Sequence, residues 1–436
     1  MCYLLLESIF IYGQLDETTH IVVYTSTEFM HMIKQSHLFY SNMFFEINDT
    51  YNSIDAACKA RLDVFHLQSI IKYNKILYLD IDILIKDDIN KVFAIAKDDI
   101  VYALEEGMII SNLDHWGVSL IGKNEIPLFI NKSAFTSGIM LFNNCDKIKA
   151  LFTIIKEDII TRPHFFHDQP HIVYNAMKYN LYDNQLLKAL VVNNDHNIHS
   201  NKVIHHFPGG PGIYQQKIVS MTIFLNAIKD YTINNNIIRT KEYVNEHLIP
   251  IINDCGELLE GNIFMLHNTT SYTDIFLSKT KNISNVVLNT NIKNVMEIGF
   301  NAGFSTLLML LSNPHIKITC LDLGDHLYAL PCYVKLKETF GDRLNLIIGD
   351  SAVTLPRINT IYDLIHIDGG HTTSIAKSDI IHSYRLSKMG TIIIMDDYDL
   401  PNLHQLWDQS INAYNLQRLN ISGCVTPYHD IRQVVK

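Results

Sequence analysis

Short apolar runs alternate with helix-length stretches in two separate parts of the chain, and a stretch with only helical periodicity lies between them. From Ile21 to about Pro211, strand-like runs at Ile21 to Thr25, Lys75 to Asp80, Asp99 to Ala103 and Gly138 to Phe142 are spaced by helical stretches such as Ile54 to Tyr73. That alternation predicts a parallel-rich α/β sheet. From Ile213 to about Leu288 the pattern is helical, at Ile213 to Ile228, Lys241 to Ile252 and Tyr272 to Leu288. The polar run Asn234, Asn235 and Asn236 falls between predicted helices, and the domain junction is placed near it. A second α/β series predicts strands at Asn294 to Ile298, Lys317 to Asp322, Asn345 to Ile348, Leu364 to Asp368 and Thr391 to Asp396. The expected organisation is a domain over 1–230, a helical linker with the first helices of the next domain over 231–290, and a second α/β domain over 291–436.

Composition narrows the class. Hydrophobic residues make up 47% and charged residues 18% of the 436, with 19 Gly and 11 Pro, enough apolar material for two large cores and too little Gly and Pro for a fibrous or disordered chain. The formal charge of −10 has the wrong sign for a protein that grips nucleic acid through its phosphates. No apolar run reaches the roughly 18 residues of a membrane span, and the apolar stretch from Cys2 to Gly13 carries Glu7 and no preceding basic residue, unlike a secretory signal. The seven cysteines are scattered, odd in number and without a C-x-x-C pair, so they are expected as reduced, buried thiols in the cytoplasm.

In the second series, the strand with Glu297 runs into Gly299, Asn301 and Gly303 and then into an apolar helix. Glycines at such a turn let backbone approach a ligand closely, and Glu297 at the strand end can meet a cationic or hydroxylated group. Asp322 closes the next strand, where an acid can bond two ribose hydroxyls. Asp350 and Ser351 follow the third strand, and Asp368, Gly369, Gly370 and His371 the fourth.

This ordered set, from about 260 to 436, resembles the class I S-adenosylmethionine-dependent methyltransferases, and within them the sugar O-methyltransferases. The resemblance implies a Rossmann-like sheet, with Gly299, Asn301 and Gly303 around the methionine part of the cofactor, Asp322 on the ribose, and Asp350 and Ser351 on the adenine. It also implies that Asp368, Asp396 and Asp397 hold Mg²⁺, a hard ion suited to oxygen ligands, and that His371 acts as general base. Some relatives carry an acid where Gly370 stands.

In the first series, the run Lys75 to Leu79 ends in Asp80-Ile81-Asp82, two carboxylates that can share a divalent ion and so neutralise a diphosphate. Arg61 precedes it; Phe135 to Asn143, then His167-Asp168-Gln169-Pro170, then His205-His206-Phe207-Pro208-Gly209-Gly210 follow. Over about 1–212 this set resembles the glycogenin-like, family-eight retaining glycosyltransferases of GT-A fold. It implies a mixed sheet, Mn²⁺ or Mg²⁺ on Asp80, Asp82 and His206, Arg61 on the diphosphate or ribose, Asp168 and Gln169 beside donor sugar and acceptor, and Gly209 and Gly210 over the phosphates. Whether His205 or His206 points inward stays open. Relatives carry Asn where Thr136 stands, and Lys and Trp where this chain continues Pro211-Gly212. The family's first strand has no counterpart, since Tyr3 to Ile9 matches its first helix.

The expected function is bifunctional glycan assembly, in which a sugar moves from a nucleotide sugar, most simply a UDP-sugar, and a sugar hydroxyl is methylated from S-adenosylmethionine. The alternative is an active methyltransferase whose first half serves as a carbohydrate-binding or docking module. Expected partners are the nucleotide sugar and a glycan acceptor, with no nucleic acid and no membrane span; oligomerisation is left open.

Overall fold

The structure, a computed structural model, describes residues 1–36, 38–40, 42–51, 57–111, 114–209, 213–289, 291–419 and 428–435. The chain divides into two compact units, residues 1–225 and 226–436. The division falls within one helix, Tyr214–Tyr243. The run Asn234 to Asn236, expected between helices, is therefore helical. Buried Ile233 and Ile237, one helical turn apart, anchor it, so packing overrides the weak helix propensity of asparagine.

Among the described residues the first unit holds three small sheets. β1 (Ile21–Thr25) pairs in parallel with β2 (Met43–Ile47). β3 (Lys75–Leu79), β5 (Val101–Met108), β6 (Ser133–Asn143) and β7 (Tyr182–Asp183) form a sheet in the order β3-β6-β5-β7. β4 (Ile83–Ile85), β8 (Val191–Asn193) and β9 (Ile204–His206) form the third, in the order β4-β9-β8. The sheets are mixed, as the glycosyltransferase resemblance implies and unlike the parallel-rich sheet expected from the alternation alone, because β3 with β6, β5 with β6 and β4 with β9 are antiparallel. Run length reports burial but not the direction of a partner strand. Among the described residues β1 pairs only with β2 and β3 only with β6, so each keeps an open edge.

β6 is the centre of this core: Ala134 to Phe142 are all buried, including Phe135 and Phe142, which fits a strand covered on both faces. The long helix expected from Ile54 to Tyr73 is replaced, within its described part, by short 3₁₀ turns at Ala60–His66 and Gln68–Ile70. Arg61 and Asp63 are drawn to partners far along the chain, Asp168 and Lys156, and a tighter turn serves both directions.

The second unit is one seven-stranded sheet. Its strands are β10 (Asn294–Ile298), β11 (Lys317–Asp322), β12 (Leu344–Ile348), β13 (Tyr362–Ile367), β14 (Ser387–Met395), β15 (Leu416–Arg418) and β16 (Asp430–Val434), in the order β12-β11-β10-β13-β14-β16-β15. The first five are parallel, as the alternation with helices predicts, and the last two add antiparallel. β15 and β16 escaped the sequence pattern because β16 buries charge: Arg432, fully buried, ion-pairs Asp430 at 2.5 Å and Asp408 at 2.6 Å. Strand order reverses between β10 and β13, and in open α/β sheets the crevice beyond such a reversal is where ligands bind.

Candidate functional site

Each unit has its own cluster. In the first, β3 stops at Leu79 and the Asp80 N–H donates to the Gly138 carbonyl at 2.8 Å, which seats the two acids at the rim of a cleft of about 1950 Å³. Asp80 accepts from the Tyr78 hydroxyl at 2.6 Å and faces Arg61 at 3.4 Å. A Cβ on Gly138 would lie 3.0 Å from Asp80 Oδ2 and 3.1 Å from His206 Nε2, so the absent side chain leaves the space where these groups meet.

His206 Nδ1 donates to Asn193 Oδ1 at 2.8 Å, leaving Nε2 toward Asp82 Oδ1 at 3.5 Å. Such a bond fixes the tautomer that a metal-ligating imidazole needs. His205 turns away: its Nδ1 meets the Asp195 carbonyl at 2.9 Å and its ring packs on Phe224. Of the two histidines it is His206 that faces the acids. Asp82 Oδ1 is buried without a hydrogen-bond partner, an orphaned acceptor that fits a divalent ion. Burial pushes Asp82 up, but His206 and Lys217 hold its carboxyl down to about 2.

Arg61, nearly buried, ion-pairs Asp168 at 2.8 Å and donates to the Ser137 carbonyl at 2.7 Å. Its position is that of a clamp on the acids. Burial raises Asp168 against the pull of Arg61. Gln169 accepts from the Ser137 N–H at 3.2 Å and donates to the His115 carbonyl at 3.3 Å. Thr136 accepts from the Gly138 N–H at 3.3 Å. A Cβ on Gly209 would meet Ile213 at 2.2 Å; Gly210, Pro211 and Gly212 lie outside the described residues. Lys217, Tyr78 and Asn193 were missed by the sequence reading. Tyr78 had a signal, two residues before Asp80 on the same strand face, whereas Lys217 had none.

In the second unit, Gly299 sits at φ +97° and a Cβ there would be 1.9 Å from the Asp368 carbonyl oxygen, so this turn admits only glycine. Asp322 Oδ2 accepts from the N–H groups of Phe300 and Asn301 at 2.7 and 2.8 Å, and Oδ1 from Gly324 at 2.8 Å. It buckles the glycine loop. Asn301 Oδ1 is buried without a hydrogen-bond partner, which fits a loop that receives a cationic amino group from a ligand. Asp350 is exposed and caps the short helix at Ser351 through the Ala352 N–H at 2.8 Å.

Glu297 does not stand open at the strand end: it is fully buried, accepting from Thr306, from His366 Nδ1 at 3.1 Å and from Cys320 at 3.6 Å, so its carboxylate is held inside the sheet.

Asp368, Asp396 and Asp397 converge, with one oxygen of each within 4.8 Å of the others. Lys279, from the helix Leu277–Val287, places its Nζ 2.5 Å from Asp396 Oδ1 and 2.8 Å from Asp397 Oδ1. With that ammonium in place the set does not fit a divalent ion. His371 Nε2 meets Asp397 Oδ2 at 2.8 Å, and that bond raises His371 above its ordinary value. His366 and His429, both buried, flank Asp396 from the other side at 3.9 and 3.3 Å.

The family model for glycosyl transferase family 8 matches residues 15–156, and one described as a methyltransferase domain matches residues 296–398. The chain joins a family 8 glycosyltransferase domain to a methyltransferase domain. Among solved structures, this two-domain transferase is similar to a putative caffeoyl-CoA O-methyltransferase from Staphylococcus aureus, at 17% identity and a TM-score of 0.33 over 48% of this chain and 99% of that one. A putative O-methyltransferase from Klebsiella pneumoniae is similar at 17% identity and a TM-score of 0.33 over 48% and 97%. A TDP-rhamnose 3'-O-methyltransferase of calicheamicin biosynthesis is similar at 16% identity and a TM-score of 0.29 over 37% and 78%. Among curated proteins none matches the chain. No helix among the described residues is long and apolar enough to cross a membrane.

Proposed function

We propose that the protein assembles and caps a glycan: its first domain moves a sugar from a nucleotide sugar, a UDP-sugar in the simplest case, to a glycan acceptor, and its second methylates a sugar hydroxyl from S-adenosylmethionine. The observation that carries this reading is the meeting of Asp80, Asp82 and His206, from segments more than a hundred residues apart in sequence, on one wall of the large cleft.

In the first domain Asp80, Asp82 and His206 would hold Mn²⁺ or Mg²⁺, which when bound neutralises charge on the departing diphosphate. Arg61 keeps Asp80 and Asp168 in place, and Gln169 bonds to Ser137 of β6 beside them. Asp168 and Gln169 would then border the donor sugar.

In the second domain S-adenosylmethionine would supply an electrophilic methyl group, with the Gly299 to Gly303 loop around its methionine part and Ser351 near its adenine. His371 Nε2–H donates to Asp397, which leaves Nδ1 to take the proton of an acceptor hydroxyl; the methyl group would pass to that oxygen from the sulfonium, with S-adenosylhomocysteine as the leaving group. The bond to Asp397 stabilises the imidazolium that forms.

Calorimetry tests both halves in the full chain. Micromolar UDP binding that requires Mn²⁺ and is lost in Asp82→Asn supports the first domain as a transferase. S-adenosylhomocysteine binding lost in Gly303→Val supports the second. A second reading, in which the first domain only docks carbohydrate, is favoured by the open edges of β1 and β3 and by the ion pair that already holds Asp82. Binding of S-adenosylhomocysteine without any nucleotide binding would select it.

A further inference from the structure

We infer that Lys279 is the resident cation of the carboxylate cluster in the methyltransferase domain, so that this domain works without a divalent metal ion. The inference rests on the methyltransferase reading above and deepens it.

The geometry around the cluster is that of a built ammonium site. A hard divalent ion such as Mg²⁺ needs near-octahedral oxygens at about 2.0–2.1 Å. Here the space between Asp396 and Asp397 holds Nζ of Lys279, at 2.5 and 2.8 Å. Asp396 Oδ1 also accepts from the Asp397 N–H at 2.6 Å, so the oxygen that meets Lys279 already has a second internal donor, and His429 Nε2 lies 3.3 Å from it. The ammonium is held from its other side as well. It lies 5.5 Å from the Phe276 ring and 5.7 Å from the Tyr428 ring, and these two rings pack edge to face with centroids 5.9 Å apart. Aromatic faces at this range attract an ammonium. Lys279 is buried along its length, so its stem has been packed to deliver the charge to this point.

The consequence for the reaction is positional. Lys279 and His371 bind the two oxygens of the same carboxylate, Asp397 Oδ1 and Oδ2, both at 2.8 Å. A fixed cation on one oxygen sets the plane of Asp397 and through it the orientation of the His371 ring. Lys279 is thus a positioning residue for the general base, doing with one tethered charge what a bound ion would do in a metal-dependent enzyme.

The test counts Mn²⁺ on the full chain by electron paramagnetic resonance and, in parallel, measures S-adenosylhomocysteine binding by calorimetry. Asp397→Asn is expected to leave the Mn²⁺ isotherm of the wild type unchanged within twofold. S-adenosylhomocysteine is expected to bind equally in EDTA and in Mg²⁺. Lys279→Met is expected to gain one Mn²⁺ that the double variant Lys279→Met/Asp397→Asn loses, while Lys279→Arg gains none. Loss of one Mn²⁺ from the wild-type chain on Asp397→Asn would overturn the inference, and this arm needs no Lys279 variant to fold. A folded chain that fails to bind S-adenosylhomocysteine would overturn the methyltransferase reading, and the Mn²⁺ count would still decide what occupies the cluster.

Discussion

Lys217 donates from Nζ to Asp82 Oδ2 at 2.6 Å, joining residues 135 positions apart in a buried ion pair. The same Asp82 presents its other oxygen to His206. One carboxylate thus serves a fixed cation and, through the orphaned Oδ1, the proposed metal ion.

Lys217→Met tests that double role. Removing one partner of a buried pair leaves an uncompensated charge, so the variant is expected to lose about 3 kcal/mol in urea denaturation near pH 7. Asp82 lies below its unfolded value, so the stability it lends is present above about pH 4 and fades as pH falls through about 2. The cost of Lys217→Met should therefore shrink in acid. With one competitor gone, Mn²⁺ binding to the first domain should tighten roughly tenfold; an unchanged isotherm would argue that Asp82 is no metal ligand.

Asp379 gives the opposite pH dependence. It is fully buried beside Gly369 with neither carboxylate oxygen hydrogen-bonded, and burial raises its carboxyl to about 6. A raised acid lends stability below about pH 4, its unfolded value, and that stability is lost as pH rises through about 6. Asp379→Asn is expected to raise stability at pH 8 by up to about 3 kcal/mol and to change little at pH 4, a difference that thermal melts at the two pH values would show. Equal effects at both would refute the assignment.

Gly299→Ala is expected to abolish S-adenosylhomocysteine binding and to cost about 3 kcal/mol or more, because the new Cβ meets the Asp368 carbonyl at a φ that side chains avoid. Calorimetry and a melt on the same sample separate the two effects. Retained binding would mean that the turn relaxes.

Arg432→Met tests the antiparallel edge of the second sheet. The guanidinium donates to Asp430, Asp408 and the Trp407 carbonyl from a fully buried position. Removing it leaves the buried Asp430 carboxylate with only the Trp407 indole N–H and the more exposed Arg418, at 2.8 and 2.7 Å, and a loss of about 3 kcal/mol is expected in denaturant titration. A loss under about 1 kcal/mol would show that Asp430 finds another partner or a proton.

Much of the second domain was legible because its information is local. Apolar runs marked β10 to β14, and the order of glycines and acids at their ends marked the loops that gather at the β10 to β13 reversal. The acids Asp80, Asp82, Asp368, Asp396 and Asp397 and the histidines His206 and His371 were legible too, as polar residues ending or following strands. Their surroundings were not. Lys217 and Lys279 lie on helices that periodicity describes only as helices, and nothing in either segment says which carboxylate its ammonium meets. The same holds for Glu297, whose strand-end position suggested a ligand contact until the packing of Thr306, Cys320 and His366 enclosed it. Sequence by itself determined two α/β domains, the transferase motifs and the residues at their strand ends, since strand period and turn chemistry act between near neighbours. Only the tertiary structure decided the inward histidine and which cation each acid holds, because those depend on groups brought together from distant segments, across more than a hundred residues for Lys217 with Asp82 and for Lys279 with Asp396.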